Sequence, residues 1–117
     1  MTLPTIIARN STNQIIGETK IGRVTSQSTG LYTVPAGKTA KILAVTGVVD
    51  GTGSDATAGI AIKRGAEVRP IGPYVAVNGL SSFVGEMVLV AGDIVTTQGD
   101  NGGTNAGIDM TVTFIEL

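Results

Sequence analysis

The feature that most constrains this chain is the density of β-branched residues between frequent chain breakers. Thr, Val and Ile supply 41 of its 117 residues, and 17 Gly and 4 Pro interrupt them throughout. β-branched side chains are stiff at χ1 and fit a pleated surface better than a helix. The longest stretch free of Gly and Pro, Thr5 to Ile16, contains Asn10, Ser11, Thr12 and Asn13, all poor helix formers. No long helix is available, so the sequence predicts an all-β protein. Its length suits one domain with its own core. Short apolar runs with turn signals roughly every 8 to 12 residues are the pattern of a sandwich or jelly roll.

The rest of the composition removes chemistries. The chain has no Cys, so neither a disulfide framework nor a thiolate metal site is available. It has no His, which excludes imidazole bases, Ser-His-Asp triads and the usual zinc sites. Eight basic and nine acidic residues leave a net charge of −1 and no electrostatic footprint for nucleic acid. No apolar run reaches the about 18 residues of a membrane span. Met1-Thr2-Leu3-Pro4 lacks a basic region and an apolar stretch, so no secretory signal is expected. Synthesis in a reducing cytoplasm is the expectation.

Two regions are expected: residues 1–29, an N-terminal arm or edge hairpin, and residues 30–117, the sandwich. In the first, Ile6-Ile7 and Ile15-Ile16 flank an uncharged polar segment. A short hairpin fits this pattern, and so does an extended arm lying on a neighbouring molecule. In the second, Leu31–Val34 ends at a Pro35-Ala36-Gly37 turn. Lys38 to Asp50 then alternates Ala40, Ile42, Ala44 and Thr46 against Lys41, Leu43, Val45 and Gly47, with both faces largely apolar. Thr57 to Arg64 places Ala58, Ile60 and Ile62 on one face. Asn78-Gly79 is a hairpin signal. Leu80 to Val90 reads as the best central strand, with Phe83, Gly85, Met87 and Leu89 against Val84, Glu86, Val88 and Val90. The closing strand turns Ile108, Met110, Val112 and Phe114 one way, and its end is expected to be fixed in a sheet. Ala36-Gly37 and Ala91-Gly92 form similar corners.

Leu31-Tyr32-Thr33-Val34-Pro35-Ala36-Gly37-Lys38 followed by a long apolar strand resembles the opening of small β-sandwich structural proteins of tailed-phage virions. Val88-Leu89-Val90-Ala91-Gly92-Asp93 and Thr111-Val112-Thr113-Phe114-Ile115-Glu116-Leu117 are similar to the second half of that pattern, so the resemblance covers about residues 30–117. It implies a jelly-roll-like antiparallel β-sandwich, no enzymatic activity and a structural place in the virion; residues 1–29 lie outside it and are read separately as an extended N-terminal arm. A homotrimer fits this resemblance, and the expectation is a capsid decoration, or cement, protein on the head surface, bound across subunits of the major capsid protein. Ile6, Ile7, Arg9, Ile15 and Ile16 are then the candidate capsid-contact arm. Decoration proteins share the pattern with fibre and tail components, so the alternative is a module that binds a receptor or glycan.

Other sites read thinly. No spacing among the nine carboxylates argues for a catalytic pair. Asp50–Asp55 and Gly99–Asn105 hold oxygen ligands but do not match a calcium loop, so no metal or cofactor is expected. Lys63-Arg64 and Arg69 read as a solvated strand end. Among Tyr32, Tyr74, Phe83 and Phe114, both Phe read as core and Tyr74 as the one platform for a sugar. Charged residues are 15% of the chain, against about 25% in typical soluble domains. With so little charge and a strand apolar on both faces, self-association is expected, with Ile42, Leu43 and Val45 as candidate contacts.

Overall fold

The computed structural model describes residues 5–9, 15–50, 57–99 and 108–117. All of its regular elements are strands: β1 (Thr5–Arg9), β2 (Ile15–Val24), β3 (Tyr32–Thr33), β4 (Thr39–Val49), β5 (Thr57–Arg64), β6 (Glu67–Pro70), β7 (Val75–Ala76), β8 (Leu80–Val90), β9 (Ile94–Gly99) and β10 (Ile108–Glu116). Two antiparallel sheets form. One runs β1-β2-β10-β4-β8, and the other runs β3-β9-β5-β6 with β7 beside β5. The expected loops at residues 51–55 and 100–105 lie outside the described residues.

The core fills the space between the sheets. Ile108, Met110, Val112 and Phe114 of β10 project into it, as the alternation predicts, and meet Ile60 and Val95 from the facing sheet. Phe114 stacks on Tyr32, with ring centroids 4.1 Å apart and planes at 27°. The Tyr32 hydroxyl donates to Glu116 Oε1 at 2.9 Å. Burial, reinforced by the Glu116 carboxylate, pushes the phenol well above its ordinary pKa. The backbone of Leu117 exchanges hydrogen bonds with Thr39, which ties the last strand to β4.

The two Ala-Gly corners abut. Val34 N–H donates to Asp93 O, and Gly92 N–H donates to Val34 O. At this junction Asp93 is buried and fully engaged. Arg64 Nε and Nη2 reach its carboxylate at 2.7 and 2.5 Å, and Val90 N–H donates to it at 2.9 Å. The Arg64 hydrogen bonds are the main cause of a carboxyl pKa below the ordinary value. The expected solvated end at Arg64 is therefore a clamp from β5 to the β8–β9 corner.

Three expectations change. First, β4 does not keep one apolar phase. Its buried residues are Ala40 and Ile42, then Val45, Gly47 and Val49, so Ala44 and Thr46 turn outward. The cause is a bulge at Leu43, where pairing with β10 slips between Thr113 and Phe114. The slip grows toward β8: Phe114 and Val112 are two residues apart, their partners Ile42 and Val45 three, and Met87 and Phe83 four. Extra residues on successive strands bend the sheet and increase its twist. Gly47 falls on the inward side of this break. A Cβ there would lie 2.8 Å from Ile108 Cγ2 and 3.0 Å from Ile60 Cγ2, so only glycine fits without displacement.

Second, β8 is an edge strand, and β10 and β4 lie inside the sheet. Third, Asn78-Gly79 does not close a hairpin. β7 pairs with β5 and β8 pairs with β4, so the turn carries the chain from one sheet to the other. Asn78 adopts φ +68°, and its N–H donates to Val49 O. The same left-handed residue that suits a hairpin suits this corner. Of the two forms expected for residues 1–29, the described strands match the edge hairpin: β1 pairs with β2, which extends the chain's own sheet from β10.

Candidate interaction surface

The outward face of the five-stranded sheet is assembled from alternating positions. On β10 these are Asp109, Thr111, Thr113 and Ile115. On β4 they are Val48, Thr46, Ala44 and Lys41, and on β8 Leu80, Ser82, Val84 and Val88. Cross-strand partners share a face, so register alone groups these side chains. The β8 end is the apolar end. Val84 is 83% exposed, Val88 62% and Leu80 57%, with Val90 and Val48 also open to solvent. The one charge on β8, Glu86, pairs with Lys41 Nζ at 3.0 Å. Toward β2 the face becomes polar: Thr19 and Thr113 hydroxyls meet at 3.1 Å, and Arg23 pairs with Asp50 and lies 3.7 Å from Asp109.

Below β8 the sandwich opens into a groove of about 310 Å³ between the edges of the two sheets. Ile62, Ile71, Met87 and Leu89 form its floor, and Arg64, Glu67 and Arg69 its rim. The two edges differ. β6 has four residues and carries Glu67, Arg69 and Pro70, devices that keep an edge from pairing. β8 has eleven residues and a single charge.

The residues expected to contact neighbours are distributed otherwise. Ile42 and Val45 are fully buried in the chain's own core and cannot meet another copy while this fold persists. The two-sided apolar pattern that suggested them comes from the bulge, which exchanges inward and outward phases at Leu43. Leu43 itself is half-buried. Of the candidate arm residues, Ile7 is exposed on β1; the side chains of Ile6, Arg9, Ile15 and Ile16 lie outside those described. Phe114 is core, whereas Phe83 is half-buried on β8. Tyr74 is exposed, and its hydroxyl donates to Gln98 Oε1 at 2.9 Å.

Sequence reasoning missed Leu80, Val84, Val88 and Val90 as surface. The signal was present: β8 is apolar on both faces. It was assigned to burial inside the sheet, because periodicity does not distinguish a central strand from an edge awaiting cover. Among the described residues no cluster of three acidic side chains could hold a metal ion. Asp93, the buried carboxylate among them, is already engaged by Arg64. No family model matches this chain, and neither a curated protein nor a solved structure does.

Proposed function

We propose that this protein is a structural component that works by assembly, a capsid decoration protein of the tailed-phage kind that binds the head across major capsid subunits. The observation that carries the reading is the apolar row Leu80, Val84 and Val88 on an edge strand, next to Val48 and a Thr-rich sheet face. An exposed patch of this kind marks an interaction surface. The strand order also supports a jelly roll: β2-β10-β4-β8 faces β3-β9-β5-β6, which sets the first strand of eight beside the last. At the opposite edge, the β1–β2 hairpin presents Ile7 and is the proposed shell contact. A protein that binds only the assembled shell stabilises that state by mass action.

The test is co-sedimentation of the purified chain with expanded heads of the phage that encodes it, followed by thermal challenge of the heads. Saturable binding and a higher disruption temperature are expected. Removal of residues 1–9 takes away β1 and leaves β2 paired with β10, and it is expected to weaken binding while the β fold persists. Absence of binding to heads, with the protein located on the tail, would overturn the assignment.

A further inference from the structure

We infer that β8 pairs with β8 of a second copy, antiparallel about a two-fold axis at Ser82, joining two five-stranded sheets into one. The partner is identified by the edge itself. Val49 N–H donates to Gly79 O, which fixes the phase of the β4–β8 ladder. Hydrogen-bonded pairs alternate along an antiparallel ladder. With Gly47 opposite Ser81 and Val45 opposite Phe83, those residues bond to β4. Leu80, Ser82 and Val84 therefore aim their N–H and C=O groups at the free edge. The ladder stays regular from Leu80 to Val84 and slips only beyond it.

A two-fold axis at Ser82 uses just that regular segment. Ser82 faces its own copy, and Leu80 faces Val84 of the second copy, in both directions. The most exposed apolar residues of the strand then cover each other, and all three free backbone positions find ladder partners. Phe83, half-buried in one chain, gains Ser81 of the second copy as its neighbour on the inward face. The two Glu86 side chains fall about 26 Å apart along the strands, at ~3.3 Å per residue, so like charges do not meet. An axis at Val84 would instead drive the pairing through the slip. Among the described strands the other edges are shorter: β1 has five residues, β3 has two, and β6 has four and is guarded by charge and proline. An isologous contact of this kind closes as a dimer.

The pairing rests on reading β8 as an assembly surface, but the two fail separately: solution mass tests the pairing and head binding tests the function. The full chain is expected to sediment as a dimer at tens of micromolar. Val84→Lys and Ser82→Pro are expected to sediment as monomers with an unchanged far-ultraviolet spectrum, since the ladder phase turns the Ser82 N–H away from β4. Because the chain contains no cysteine, crosslinking reads the register directly. Hydrogen-bonded partners sit about 5.5 Å apart at Cα, within disulfide reach. Under mild oxidation Ser82→Cys is expected to form a covalent dimer at least tenfold faster than Leu80→Cys, whose copies are about 13 Å apart. A wild-type monomer, a closed trimer, or equal crosslinking at the two positions would overturn the proposal.

Discussion

Gly47→Ala tests the break in β4 directly. The added Cβ would meet Ile108 Cγ2 at 2.8 Å, Ile60 Cγ2 at 3.0 Å and Met110 Cγ at 3.6 Å. These atoms come from β10 beside it and β5 across the core, so relief on one side worsens the other. Overpacking of this kind costs about 1–3 kcal/mol. Replacing glycine within a strand returns about 0.5–1 kcal/mol of chain entropy. The net loss should be about 0–2.5 kcal/mol, centred near 1, or roughly a 5 °C fall in Tm for a domain of this size. The control is Ala44→Val, three residues earlier, which the register places on the outer face between Thr113 and Val84. It should change stability by less than about 0.5 kcal/mol. Thermal and urea unfolding followed by circular dichroism would measure both. If β4 had one uninterrupted phase through Ala40, Ile42, Ala44 and Thr46, the ranking would reverse. A neutral or stabilising Gly47→Ala beside a costly Ala44→Val would refute the bulge and the buried face derived from it.

Phe114→Ala should cost about 3–5 kcal/mol, since it empties a fully buried position and removes the stacking partner of Tyr32; chemical denaturation gives the value. Tyr32→Phe should cost about 0.5–1.5 kcal/mol through loss of the hydrogen bond to Glu116, and a cost near zero would show that bond to be idle. Asp93→Asn should cost about 1–3 kcal/mol at neutral pH, because its hydrogen bonds are charge-assisted. The pH dependence has a definite sign. The folded carboxyl titrates below the unfolded one, so its stabilisation is present above the ordinary Asp pKa of about 3.9 and is lost as pH falls toward the depressed folded value. Urea midpoints between pH 3 and 7 should therefore fall less steeply on the acid side for Asp93→Asn, and parallel curves would refute the clamp.

The sequence by itself determined the class and the elements. β-branched residues punctuated by Gly and Pro leave no helix, and Thr57–Arg64 and Leu80–Val90 are legible to the residue because strand alternation and turn chemistry are local properties. The inward face of β10 is legible for the same reason: Ile108, Met110, Val112 and Phe114 recur at period two without interruption. Tertiary structure decided what pairing decides. Whether β8 lies inside the sheet or at its edge depends on which distant strand bonds to it, and its own residues carry no trace of that choice. Asn78-Gly79 supplies a left-handed residue wherever one is needed, so the turn alone does not say whether the next strand stays in the sheet or leaves it. The bulge at Leu43 is set by mismatched ladders with β10 and β8, and it moved Val45 from candidate contact to core. The low charge and the two-sided apolar strand were both legible as signs of an interface. Only the strand order shows that Ile42 and Val45 are core and that the exposed apolar row lies on the outer strand at Leu80, Val84 and Val88.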